Sequence, residues 1–141
     1  MKFTKESENA LECLSYLASR PTRTIVQASD IAEAVDVSPA FMSKILQKLA
    51  RTKIVRGSRG NPRGYGLARP PERISVRAVL EAIEGEDVFK RCLFGSESCS
   101  EERACALHPM WRKTRPQLRS ALTELSVRDL ARRRKSPLRE A

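Results

Sequence analysis

The run Ser38-Pro39-Ala40-Phe41-Met42 constrains this chain more than any other. Serine is a favoured helix N-cap, and proline is pre-shaped for the first helical position, where its missing N–H costs nothing. A helix starting there runs to about Thr52, with Phe41, Met42, Ile45, Leu46 and Leu49 as its buried stripe. Its other face presents Ala40, Ser43, Lys44, Gln47, Lys48 and Arg51. Upstream, Ala28 to Ala34 form a second helical pattern, with Ser29 as N-cap and Ile31, Ala32 and Val35 facing inward. Only Val35-Asp36-Val37 lies between the two. Helices joined by so short a turn, the second basic on one side, form a helix-turn-helix. An ordinary helical hairpin would share that much, so the residues that follow decide. Lys53 to Arg56 reads as a strand, Gly57 to Gly64 as a glycine-rich turn and Tyr65 to Ala68 as the return strand, which together make a β-hairpin wing.

A basic finger beside a recognition helix suits double-stranded DNA, with the helix in the major groove and the finger in the minor groove. From Arg51 to Arg73 there are seven basic residues and one acidic residue, and the whole chain carries a formal net charge of +10. That balance favours a polyanion partner. The residues expected at DNA are Ser38, Pro39, Ala40, Ser43, Lys44 and Gln47 on the helix, with Arg56, Arg59, Arg63 and Tyr65 on the wing. A competing class is a non-regulatory module that binds another protein through its basic face. There is no Gly-rich phosphate loop and no paired carboxylate site, so neither enzymatic activity nor a small-molecule substrate is expected. Apolar runs are too short to span a membrane, and Lys5, Glu6, Glu8 and Glu12 interrupt what would be a signal peptide. The expected location is the cytoplasm, where cysteines serve more often as ligands than in disulfides.

The remaining segments frame this unit. Residues 4–19 read as an amphipathic helix that places Cys13 in the core and Glu8 at its solvated start. Residues 1–74 therefore form the winged helix-turn-helix domain. A connecting segment, 75–91, carries a short helix with Ser75 as N-cap and Gly85 as its stop. Residues 109–134 read as one long helix with a thin stripe of Trp111, Leu118, Leu122, Leu125 and Leu130. Such a stripe is suited to pairing with a second copy across a twofold axis, which would space two recognition helices one DNA turn apart. The alternative is that this helix packs back on its own domain. Residues 135–141 form a basic tail that is expected to be disordered.

Between these helices lies a loop, 92–108, of different chemistry. Cys92, Cys99 and Cys105 are separated by six and five residues, and His108 follows the last after two intervening residues. Three thiolates and an imidazole on a flexible loop are what a soft metal centre requires. The spacing lacks the paired C-x2-C knuckles of a zinc ribbon. Exposed thiols are otherwise a liability, which sets the ligand reading above incidental cysteines or a disulfide.

The opening M-K-F-T-K, the wing R-G-N-P-R-G-Y-G-L and the run C-A-L-H-P-M-W resemble the IscR/NsrR/RirA family of bacterial regulators over nearly the whole chain. The resemblance implies a homodimeric transcription regulator, usually a repressor, that holds an iron–sulfur cluster in the cysteine loop. The state of the cluster, set by iron, redox conditions or nitric oxide, alters operator binding in that family. Cys105, His108 and Trp111 match the spacing of the IscR branch, which implies a [2Fe–2S] centre held by Cys92, Cys99, Cys105 and His108. The NsrR branch takes its fourth ligand from an N-terminal carboxylate, and Glu8 stands at the matching place. The gap between Cys92 and Cys99 is one residue longer than the IscR pattern, which leaves [4Fe–4S] open. Ser43 stands where IscR has a glutamate tied to operator choice. The same cysteines also suit a cluster-free regulator that responds to thiol oxidation or zinc.

Overall fold

In the computed structural model, which describes residues 3–93, 102 and 105–134, the elements run α1 (Lys5–Ala18), α2 (Ala28–Val35), α3 (Pro39–Arg51), β1 (Val55–Ser58), β2 (Gly64–Leu67), α4 (Val76–Glu84), α5 (His108–Glu124) and α6 (Val127–Arg134). The fold is mainly α with one small hairpin, a winged helix-turn-helix. Ser38 Oγ accepts the Phe41 N–H at 3.2 Å, so α3 starts where its sequence dictates. The turn before it hinges on Asp36, whose φ of 62° lies in the left-handed region that aspartate tolerates better than most residues. The N-cap of α2 is Gln27 rather than Ser29; Ser29 falls inside the first turn and is exposed.

One core joins these helices. Leu14 of α1, Ile31 of α2, and Met42, Ile45, Leu46 and Leu49 of α3 are fully buried, with Ile54 and Val79 beside them. Cys13 is buried there too, as its position in the apolar stripe predicts. The hairpin is antiparallel, in the register Val55↔Leu67 and Gly57↔Tyr65, two residues farther along at β1 than the sequence pattern suggests. A third segment supports it. Tyr65 N–H donates to the Val26 carbonyl at 2.8 Å, and Val26 N–H donates to the Tyr65 carbonyl at 2.9 Å. This close approach requires glycine: a Cβ on Gly66 would lie 2.8 Å from the Thr24 carbonyl oxygen, and one on Gly64 would overlap that of Val26.

The chain beyond His108 departs from the single helix its leucine spacing predicts. It breaks at Leu125, whose ψ is 124°, and restarts as α6. The cause is local. Ser126 N–H and Oγ–H donate to Asp129 Oδ2 at 2.9 and 3.0 Å, while Asp129 N–H returns to Ser126 Oγ at 3.2 Å, a reciprocal capping box. Those two donors hold the Asp129 carboxyl below its ordinary range. Val76 N–H also donates to the Leu125 carbonyl (2.8 Å), and Val127 N–H to that of Ile74 (2.9 Å), so Ser75 and Ser126 sit side by side. As a result, α6 returns to the winged unit, where Val127 and Ala131 enter the core against α1. Arg128 secures it, donating to the Ala18 carbonyl at 3.2 Å and to Glu72 at 3.0 Å. α5 leans on α4 through Leu122, and its outer surface is exposed. Among the described residues no helix is long and apolar enough to cross a membrane.

Candidate nucleic-acid interface and cysteine site

Because Met42, Ile45, Leu46 and Leu49 anchor one side of α3 in the core, its other side must face out. Ser38, Pro39, Ala40, Lys44 and Gln47 are exposed there and Ser43 is half-buried. α3 contains no acidic residue. A groove of about 740 Å³ separates this helix from the wing. Ser43, Arg59, Arg63 and Tyr65 all line it, so the structure brings these four predicted residues together. Gln27 and Ser29 line it as well; sequence reasoning missed them because it treated the start of α2 only as a cap. Arg56 is exposed but lines a different groove, at the base of the wing. Lys48 was expected on the outer face of α3, but it turns inward, with Nζ 2.9 Å from Glu6 Oε1 and 3.5 Å from the Ile83 carbonyl. It sits one turn beyond Lys44, offset from it by about 40° around the helix, where the Glu6 carboxylate of α1 is within reach.

The cysteine site is built on Trp111, which is 3% exposed. Its Nε1–H donates to the Arg91 carbonyl at 3.3 Å, which fixes the backbone immediately before Cys92. Arg91 is itself clamped, donating to Asp87 at 2.7 Å and to the Glu84 carbonyl at 3.0 Å. Cys105 lies three residues before α5, where its carbonyl accepts the His108 N–H at 3.0 Å. The Cys92 and Cys105 Sγ atoms are 3.5 Å apart. That is far from the ~2 Å of a disulfide, and close to the roughly 3.8 Å expected of two thiolates on one tetrahedral metal at ~2.3 Å each. His108 is the first residue of α5, and its Nε2 is buried. Glu8 is on the surface, paired with Lys5 at 2.9 Å. Cys99 lies outside the described residues, and among the described residues no three His, Cys, Asp or Glu side chains gather as a metal site. Three of the four expected ligands are therefore described, and of these Cys92 and Cys105 stand together at a separation that suits a soft metal.

A polar relay connects this site to α3. Glu84, whose carbonyl takes part in the Arg91 clamp, accepts at Oε1 from Thr4 N–H (2.8 Å), Thr4 Oγ–H (2.6 Å) and Ser7 Oγ–H (2.7 Å). Burial pushes its carboxyl up, but the Thr4 and Ser7 donors and the nearby Arg91 outweigh that and hold it below the ordinary range. Between Thr4 and Ser7 sits Glu6, the partner of Lys48.

Comparisons with known proteins agree with this fold. The Rrf2 family profile, described as iron-dependent transcriptional regulator, matches residues 3–133. A Mycobacterium tuberculosis protein that bears the name of an HTH-type transcriptional regulator is 33% identical over 131 residues, 93% of this chain and 81% of the relative. The HTH-type transcriptional regulator IscR of Aliivibrio salmonicida is 27% identical over 130 residues, covering 92% of this chain and 77% of its own. Among solved structures, CymR, the global cysteine regulator of B. subtilis, superposes with a TM-score of 0.77 over 94% of this chain and 97% of its own; at 19% identity this shows the fold alone.

Proposed function

As the chain belongs to the Rrf2 family of transcriptional regulators, and is a DNA-binding protein rather than an enzyme, we propose that it is a homodimeric repressor whose operator binding is set by an iron–sulfur cluster. α3 lies in the major groove with Ala40, Ser43, Lys44 and Gln47 nearest the base edges, and Ser38 and Pro39 bring the helix N-terminus to the backbone. Arg59 reaches the flanking minor groove, and Arg63 and Tyr65 shape the wing around it. The second copy pairs along the exposed face of α5.

Cys92, Cys99, Cys105 and His108 hold the cluster, a [2Fe–2S] centre in this reading. When bound, the cluster would supply a redox- and iron-sensitive crosslink between the segment that follows α4 and the segment that leads into α5. Trp111 and Arg91 orient Cys92, and Glu84 passes any displacement of that segment to Thr4 and Ser7 at the head of α1. Lys48 carries it on to α3. A coupling of about 1–3 kcal/mol between the two sites is enough to switch operator occupancy by one to two orders of magnitude. The observation that carries this reading is the 3.5 Å separation of two thiols seated by a buried tryptophan.

The test is the ultraviolet–visible spectrum of protein purified without oxygen, with iron and acid-labile sulfide assays. A red-brown protein with near-equal iron and sulfide is expected, and His108→Ala should change its spectrum where Glu8→Ala does not. A colourless protein that cannot be reconstituted sinks the cluster and leaves the DNA-binding reading standing. The same separation favours a second reading, since two thiols at that distance could close to a disulfide in a cluster-free regulator, and CymR shares this fold.

A further inference from the structure

A second groove, of about 640 Å³, opens at the base of the wing and shares no lining residue with the one beside α3. Four separate segments wall it: the end of α1 with the turn after it, the wing base, the Pro71–Arg73 turn and α6. Arg20, Arg23, Arg56, Arg69 and Arg128 line it, and Glu72 is its one carboxylate. Glu72 is already committed to Arg128, so it does not neutralise the others. Arg23, Arg56 and Arg69 are exposed and make no ion pair among the described residues.

Several of these arginines are held in place before any ligand arrives. Arg20 stacks over the Tyr16 ring, 5.1 Å from its centroid. Arg128 is fixed between Glu72 and the Ala18 carbonyl. Arg23 adopts φ 66°, a left-handed conformation that a long side chain rarely takes, in a turn closed by Thr24 N–H donating to the Pro21 carbonyl at 3.1 Å. Leu17, Ala18 and Leu67 give the groove an apolar patch.

We propose that this groove binds a small, multiply charged anion, a phosphate-bearing metabolite of about nucleotide size, at a site separate from the DNA-reading face. Guanidinium forks match phosphate oxygens two at a time, and clustered unpaired arginines repel one another until an anion arrives. The volume is that of a small-molecule cleft. Bound there, the anion ties the wing, through Arg56 and Arg69, to α6 through Arg128. The inference is independent of the cysteine site.

The test is calorimetric titration of the full chain with pyrophosphate, and separately with ATP, in phosphate-free buffer. Arg23→Ala/Arg69→Ala is the paired variant, because neither residue is placed at DNA and both are exposed; its thermal unfolding should match wild type. Saturable binding at one site per chain is expected, weakened at least about tenfold in the double variant. The double lysine variant, Arg23→Lys/Arg69→Lys, should fall between, since it keeps the charge and loses the fork. An unsaturable titration, or equal affinity in the double alanine variant, overturns the proposal. ATP binding no tighter than pyrophosphate overturns the assignment of nucleotide size. If pyrophosphate does not bind but the double variant flattens the salt dependence of operator binding, the groove is a track for DNA phosphates and the proposal fails.

Discussion

Replacing Glu84 with alanine should destabilise the whole protein, although the residue is not in the hydrophobic core. Its carboxylate does what the N3 side chain of a capping box does, accepting the backbone N–H of the N-cap residue Thr4, which makes no side-chain cap of its own. Three hydrogen bonds to one charged oxygen are lost at once. Bonds to charged groups contribute ~1.5–3 kcal/mol each when buried, but two of these are exposed, so about 2–3 kcal/mol in total is expected. In a domain of this size that lowers the midpoint of thermal unfolding by about 6–10 °C. Circular dichroism melts at neutral pH read it directly. The pH dependence has a definite sign. Because the folded carboxyl is held below its ordinary value of 4.5, its stabilisation is full above that pH and fades as pH falls through the lower folded value. The gap between wild type and Glu84→Gln should therefore close on acidification below pH 4.5. A change under about 0.5 kcal/mol for the alanine variant, typical of an unremarkable surface site, would refute the capping role and with it the relay from Arg91 to α1.

Three further outcomes follow from the same geometry. Ser126→Ala should cost about 1 kcal/mol of stability in urea unfolding, as loss of an N-cap does, whereas Ser126→Asp should retain most of it. Gly66→Ala should cost more than its small size suggests, about 2 kcal/mol or more, because the added methyl meets the Thr24 backbone at 2.8 Å; hydrogen exchange should show the wing and the segment around Val26 loosening first. Lys48→Met should leave operator affinity within about threefold in one metal state and shrink the difference between states; gel-shift titrations with and without iron would show an unchanged difference if α3 is coupled by some other route.

The winged fold could be read from the chain because its signals are local: a serine–proline helix start, a three-residue break and a glycine-rich hairpin. Each acts within a few residues, so composition suffices. The broken C-terminal helix was obscured because Leu122, Leu125 and Leu130 keep a helical rhythm across the break. The Ser126–Asp129 box that interrupts it gains decisive support from residues 50 positions away, at Ile74 and Val76. The inward turn of Lys48 was likewise invisible, since its partner Glu6 lies on another helix. For the cysteine site, residue types and spacing predicted the donors, but only the folded chain shows Trp111 reaching across to seat Cys92. The groove at the wing base could not have been foreseen: its arginines come from three segments scattered between residues 20 and 128.

The return of α6 also bears on how the protein is made. Ile74 closes a core whose last pieces, Val127 and Ala131, emerge from the ribosome more than 50 residues later. A nascent chain that has just completed its wing still exposes the seam on α1 that α6 will cover. The core that holds α3 in place is therefore complete only after the cysteine-bearing segment has been made. Truncation before Val127 should lower the thermal stability of the winged unit, so that losing the segment proposed to regulate the protein also weakens the part that reads DNA.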